Sequence, residues 1–156
     1  MRICVFGVGA VGGLIAAKII STGADVTLYD LPDRVSRLRS AGLTFIDTDD
    51  SFTKLSDLQF LDPGEKYPPF DLVFLATKSH DIQRSVSELS GMVGKSTVIV
   101  TTQNGIPWWY FQRHGGPHEG RILRSVDPEG MIAGTLDPRQ IVGCVVYPAA
   151  ETLTDG

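Results

Sequence analysis

Three glycines near the amino terminus are the first residues whose spacing suggests chemistry. Gly7, Val8, Gly9, Ala10, Val11 and Gly12 form a G-x-G-x-x-G run directly after a short apolar stretch. Each glycine has its own task. Gly7 permits a tight turn, Gly9 has no Cβ to obstruct a pyrophosphate, and Gly12 lets a following helix pack closely on a strand. A helix opening there offers unpaired N–H groups and the positive end of its dipole to phosphates. The run alone is a weak signal, because a glycine-rich strand-to-helix turn can also hold nothing. Its setting strengthens it: an apolar run precedes it, a helical pattern follows, and Asp30 comes 18 residues after Gly12.

Asp30 ends a second apolar run, where a carboxylate can accept hydrogen bonds from adenosine ribose hydroxyls. That favours NAD(H) and repels a 2′-phosphate. Arg34, one turn into the next helix, could instead meet such a phosphate, which leaves NADP(H) open. Asp30 also suits a helix N-cap or a solvated turn. Lys78 and Asn104 each follow a later apolar run. In an open α/β sheet, ligands bind outside the carboxyl ends of the strands, near the point where strand order reverses. Both residues would then lie near the nicotinamide end of a dinucleotide. A lysine there can bond to ribose or substrate oxygens, and an asparagine amide both donates and accepts. A solvated loop lysine and a plain Asn104-Gly105 turn fit the same pattern.

Other candidates fall short. His80, His114 and His118 lack metal-ligand spacing to cysteines or carboxylates, and His80 suits an exposed helix start. The run Trp108-Trp109-Tyr110-Phe111 is expected to pack on the sheet or on a neighbouring domain. No Ser/His/Asp or Cys/His arrangement stands out. Cys4 and Cys144 each sit inside an apolar run and are expected to be buried, reduced thiols.

The elements that must position these residues alternate. Strands are predicted at Arg2–Phe6, Asp25–Tyr29, Asp71–Ala76, Thr97–Thr102 and Ile141–Tyr147. Helices are predicted at Val11–Thr22 with Gly23 as terminator, from Pro32 to about Ser40, and over His80–Met92. Leu43–Phe60 reads as a hairpin or as a strand with a loop, split by the polar patch Asp47–Ser51. Pro107–Gly120 reads as a short helix and a loop. Continuous apolar strands alternating with helices imply a doubly wound, mostly parallel α/β sheet, the Rossmann dinucleotide-binding architecture.

The chain has 156 residues, 42% of them hydrophobic, with 14 Lys+Arg against 18 Asp+Glu. One domain with a real core fits residues 1–156; a second full domain does not. A net charge of −4 and a pI near 5.2 supply no attraction for nucleic acid or an anionic membrane. The stretch Ile3–Ala17 is apolar enough to suggest a secretory signal, but Gly7, Gly9, Gly12 and Gly13 are costly in the helix such a signal forms. Lys18 interrupts it before it reaches the length of a membrane span. A soluble, cytoplasmic chain is expected.

Four segments together resemble a known family. MRICVFGVGAVGG, LATKSHD, TTQNGIPWW and IVGCVVYPAAE, in that order, are similar to the cofactor-binding half of ketopantoate reductase (2-dehydropantoate 2-reductase). The resemblance implies an oxidoreductase that reduces 2-dehydropantoate to pantoate with NADPH, in pantothenate and coenzyme A biosynthesis. It also implies an N-terminal Rossmann domain, a helical C-terminal domain, and an active site between them. On this resemblance Gly7 to Gly12 match the phosphate-binding turn, and Lys78 matches a lysine near cofactor ribose and substrate. Asn104 matches an asparagine touching both, and Pro148 or Ala149 falls where the chain passes the cofactor again. Two departures follow. NADPH-using members commonly carry an arginine just after the second strand, where this chain reads Tyr29-Asp30-Leu31. The family's general-acid lysine and its acidic partner belong to the helical domain, so the catalytic residues of this chain are unknown. The expectation is a fragment or half of an assembly, inactive alone, that binds NAD(H) or NADP(H) and a small 2-oxo acid, with a homodimer left open. The alternatives are a stand-alone dinucleotide-binding or sensing module, and the front half of another 2-oxo-acid dehydrogenase.

Overall fold

A computed structural model describes residues 1–62 and 65–153. The chain runs β1 (Ile3–Phe6), α1 (Ala10–Ile20), β2 (Val26–Tyr29), α2 (Pro32–Ala41), β3 (Leu43–Ile46), β4 (Phe52–Leu55), β5 (Gln59–Phe60), β6 (Phe70–Leu75), α3 (Ile82–Gly91), β7 (Val93–Thr101), α4 (Met131–Thr135) and β8 (Ile141–Gly143). Six strands form one sheet in the order β5-β2-β1-β6-β7-β8. Every pairing in it is parallel. The chain builds outward from β1 in one direction, then returns to the other side of β1 at β6. That reversal lies beside the glycine run, as the sequence reading expects.

Strand β1 shows why the sheet needs cover on both faces. Its residues alternate, as pleated strands require. Ile3 and Val5 join a core with Val8, Ala16, Val26, Leu28 and Leu38, under α1 and α2. Cys4 and Phe6 join the opposite core with Val73, Leu75, Ile82, Val86 and Leu89, under α3. All four β1 side chains are buried, so the strand reads as one continuous apolar run. Helix α1 turns Gly12, Gly13, Ala16 and Ala17 to the protein interior, and these small residues bring it close to the sheet. Helix α2 opens with Pro32 at its start and ends at Gly42, whose φ is 78°; both are the residues those positions favour.

The ambiguous stretch resolves into two pieces. β3 and β4 pair antiparallel as a hairpin, and β5 adds an edge strand parallel to β2. Three expectations need correction. The 107–120 segment contains turns, and α3 begins at Ile82 after a 3-10 turn at Ser79–Asp81. The last strand stops at Gly143, because the chain beyond it leaves the sheet: Val145 and Tyr147 are 67% and 89% exposed. For the same reason Cys144 is half-buried, whereas Cys4 is fully enclosed. Among the described residues no helix is long and apolar enough to cross a membrane, and no group of three or more His, Cys, Asp or Glu could hold a metal ion.

Candidate dinucleotide site

The glycine turn joins β1 to α1, and its three glycines occupy three different environments. Gly7 has φ 96°, in the region that L side chains rarely adopt. A Cβ there would also lie 2.8 Å from Thr77. At Gly12 a Cβ would fall 1.8 Å from the Gly7 carbonyl oxygen, so only glycine lets the helix sit this close to the turn. At Gly9 a Cβ would meet nothing within 4 Å. The space over Gly9 is therefore left free by the protein, beside a helix start that no side chain caps. Val8, by contrast, is buried against Val5, Leu28 and Leu38, while Ala10 and Val11 open α1. An unfilled space above uncapped helix amides suits an anion such as a phosphate group.

Asp30 and Arg34 close one side of this turn. The Val8 N–H donates to Asp30 Oδ2 at 2.6 Å, and the Leu31 N–H donates to Asp30 Oδ1 at 2.7 Å. Arg34 Nε donates to the Val8 carbonyl at 2.8 Å and lies 3.7 Å from Asp30 Oδ2. Val8 thus fastens the ends of β1 and β2, beside the Gly7 N–H, which donates to the Tyr29 carbonyl at 2.8 Å. Tyr29, stacked on Phe6 with centroids 4.3 Å apart, has its hydroxyl pushed above the usual range, first by burial and then by the charges of Glu88 and Asp30.

The carboxyl ends of β6, β7 and β8 form the other side. Thr102 donates from its N–H and its hydroxyl to the Leu75 carbonyl. Gln103 Nε2 donates to the Thr77 carbonyl at 2.7 Å. The Asn104 amide pairs twice with Val146: its Nδ2 donates to the carbonyl at 3.0 Å, and its Oδ1 accepts the N–H at 2.9 Å. Asn104 therefore holds the segment after β8 against the end of β7, and each amide atom keeps one further hydrogen-bonding position. Pro148 follows two residues on and is exposed. Lys78 is exposed in the loop between β6 and α3, at the start of the 3-10 turn. A narrow cleft lies among Ser79, Gln103, Asn104, Ile106 and Trp108. A wider groove of about 650 Å³ lies at the amino end of β7, beside Gly94, Lys95 and Arg139, and shares no residue with the turn.

The sheet thus brings the glycine turn, Asp30, Arg34, Lys78 and Asn104 to one edge. Sequence reasoning missed Thr77 and Gln103, the neighbours of two singled-out residues. The Thr77 hydroxyl is buried next to Gly7 with no hydrogen-bond partner, and such groups are rare without a ligand or water to satisfy them. The aromatic run packs as expected in part. Trp108 is buried in the α3-side core, and the Trp109 ring lies over Gly143 of β8, where a Cβ would meet it at 2.7 Å. Tyr110 is exposed, and so is His80.

Comparison with known proteins bears on the family and the fold. Residues 3–108 match the family model described as ketopantoate reductase PanE/ApbA. A 2-dehydropantoate 2-reductase of Mesorhizobium japonicum is 36% identical over 157 aligned residues, covering 100% of this chain and 48% of that protein. Among solved structures, a ketopantoate reductase-like protein of Ralstonia solanacearum superposes with a TM-score of 0.89 at 30% identity, over 99% of this chain and 47% of the other. D-mandelate dehydrogenase, solved with NADH and anilino(oxo)acetate, shares the fold with a TM-score of 0.66 at 21% identity, over 90% of this chain and 39% of the other. The chain spans about half the length, or less, of the relatives it matches.

Proposed function

The chain belongs to the ketopantoate reductase PanE/ApbA family, and on that basis we propose that it is the nicotinamide-dinucleotide-binding part of an oxidoreductase acting on a small 2-oxo acid, 2-dehydropantoate in the first instance. The observation that supports this reading best is the free space over Gly9 beside the uncapped start of α1. When bound, the nicotinamide supplies a hydride for the keto carbon of the substrate.

The chain's own residues do the holding. The α1 amides and the turn around Gly9 take the pyrophosphate, and the end of β2 takes the adenosine ribose. Thr77, Lys78 and Asn104 flank the nicotinamide end. There the exposed Lys78 ammonium is available to a substrate carboxylate or a ribose hydroxyl, and Asn104 offers one donor and one acceptor. Proton delivery to the reduced oxygen is assigned to residues outside this chain, in keeping with the greater length of the relatives.

Calorimetric titration of the chain with NADH and NADPH tests this reading. Saturable one-to-one binding of at least one of them is expected. Absence of binding by both would sink the proposal. With the dinucleotide bound, 2-dehydropantoate should bind more tightly than to the free chain, and other 2-oxo acids more weakly than 2-dehydropantoate.

A further inference from the structure

We propose that this chain selects NAD(H) over NADP(H), because the Asp30 carboxylate is held in place by the glycine turn and Arg34 is committed to the same turn. The inference rests on the dinucleotide-binding reading above and goes beyond it by naming the form of the dinucleotide.

A carboxylate at the end of the second strand discriminates only if it stays where the ribose arrives. Asp30 cannot swing away. Each of its oxygens accepts one backbone N–H, from Val8 at 2.6 Å and from Leu31 at 2.7 Å. The side chain is only 14% exposed. A carboxylate has about four acceptor positions, so roughly two remain, enough for the two O–H donors of a ribose diol. A 2′-phosphate presents no such donors. It brings about −1.5 to −2 of charge toward a fixed negative group that the fold keeps out of bulk water.

Arg34 is the cation nearest to rescue that phosphate. Its Nε already donates to the Val8 carbonyl at 2.8 Å, and the same nitrogen sits 3.7 Å from Asp30 Oδ2. The guanidinium is therefore turned inward along the turn, with its charge shared by Asp30. A phosphate taken on the four Nη donors would meet a guanidinium whose charge the fixed Asp30 carboxylate already offsets, so it would face an ion pair and not an isolated cation. Leu31, the residue after Asp30, is apolar and 70% exposed, so the position that follows the strand supplies no cation either.

The test compares ADP-ribose with its 2′-phosphorylated form by calorimetry, alongside NADH and NADPH, on the unmodified chain and on Asp30→Asn. These ligands isolate the 2′ position without any turnover. The unphosphorylated ligands should bind at least about tenfold more tightly to the unmodified chain. Asp30→Asn keeps an acceptor for the Val8 N–H and removes the charge; it should narrow that gap by about tenfold or more. Equal or tighter binding of the 2′-phosphorylated ligands to the unmodified chain would overturn the inference while leaving dinucleotide binding standing. A folded Asp30→Asn chain with an unchanged gap would overturn it too. Binding of none of the four ligands would overturn the dinucleotide reading itself, and this inference with it.

Discussion

Alanine placed at three neighbouring glycines should give three different outcomes. Gly12 and Gly13 are adjacent, both buried and both inside α1. Each gains about 1 kcal/mol of helix propensity on becoming alanine. Packing separates them. The Cβ of Gly13→Ala meets Leu43 Cδ1 at 3.7 Å, an ordinary contact, whereas that of Gly12→Ala would stand 1.8 Å from the Gly7 carbonyl oxygen and 3.1 Å from Ala76 Cβ. The offending atoms at Gly12 include turn backbone, so relief requires α1 to move off the sheet. Overpacking of this kind costs about 3 kcal/mol or more, which outweighs the propensity gain and leaves a net loss of about 2 kcal/mol. For a chain of this size that is a fall in Tm of roughly 4–8 °C. Gly13→Ala should match or exceed the parent. Gly9→Ala should stay within about 1 kcal/mol of it, since a modest loss at the helix cap opposes a gain from the stiffer unfolded chain. Its effect should appear in calorimetry, as a dinucleotide affinity lower by about tenfold or more. A Gly12→Ala chain as stable as the parent would refute the close approach of α1 to the turn. Unchanged dinucleotide binding by Gly9→Ala would refute the assignment of the free space to phosphate.

Three further outcomes follow from burial. The Cys4 thiol, enclosed under the sheet, has its pKa pushed up to about 12, while Cys144 is half-buried. A thiol reagent at pH 8 should modify Cys144 in the native chain and reach Cys4 only in denaturant; two rapidly reacting thiols in the native chain would contradict this. The folded state holds the Cys4 proton more tightly than the unfolded chain, so this group leaves stability unchanged below about pH 9 and lowers it between about pH 9 and 12, by at most about 1.4 kcal/mol per pH unit. Tyr29, also raised, acts in the same direction from about pH 10, and urea midpoints at pH 8 and pH 10 measure the sum. Asp127, fully buried, accepts the Ile132 and Ala133 N–H groups at the start of α4 at 3.1 and 2.9 Å. Asp127→Ala should lose about 1–3 kcal/mol in denaturant titration, and a change under about 0.5 kcal/mol would show that the cap is dispensable.

What was legible in the sequence divides along a physical line. The runs ICVF, VTLY and FDLVFL announce themselves because strands covered on both faces carry almost no polar residues. The glycine turn is legible because steric exclusion leaves few alternatives to glycine at Gly7 and Gly12. The hairpin at β3 and β4 was harder. Several of its side chains are exposed, so the alternation that marks a half-buried strand is weak in β4. The 107–136 segment was hardest, since it is built mostly from short turns closed by hydrogen bonds within the segment, which carry no helical or strand period. Nothing local marks Asp127 as a helix cap, or Gln103 as a donor to the Thr77 carbonyl. The same holds at Asp30: its place at the end of β2 could be read, but its bond to Val8 depends on the parallel register of β1 and β2.

The ring of Trp109 over Gly143 has a consequence for how assembly of the sheet can be watched. The chain has two tryptophans, side by side, one buried beside the end of β7 and the other lying on β8. Tryptophan fluorescence, excited apart from tyrosine, is therefore a local signal. It registers the arrival of the last strand at the sheet edge and is nearly blind to the β1–β2 half where Asp30 and Arg34 sit. Circular dichroism, which averages over the whole backbone, sees both halves. If the two signals refold at different rates, the difference dates the docking of β8, and with it the moment when Asn104 acquires its partner Val146.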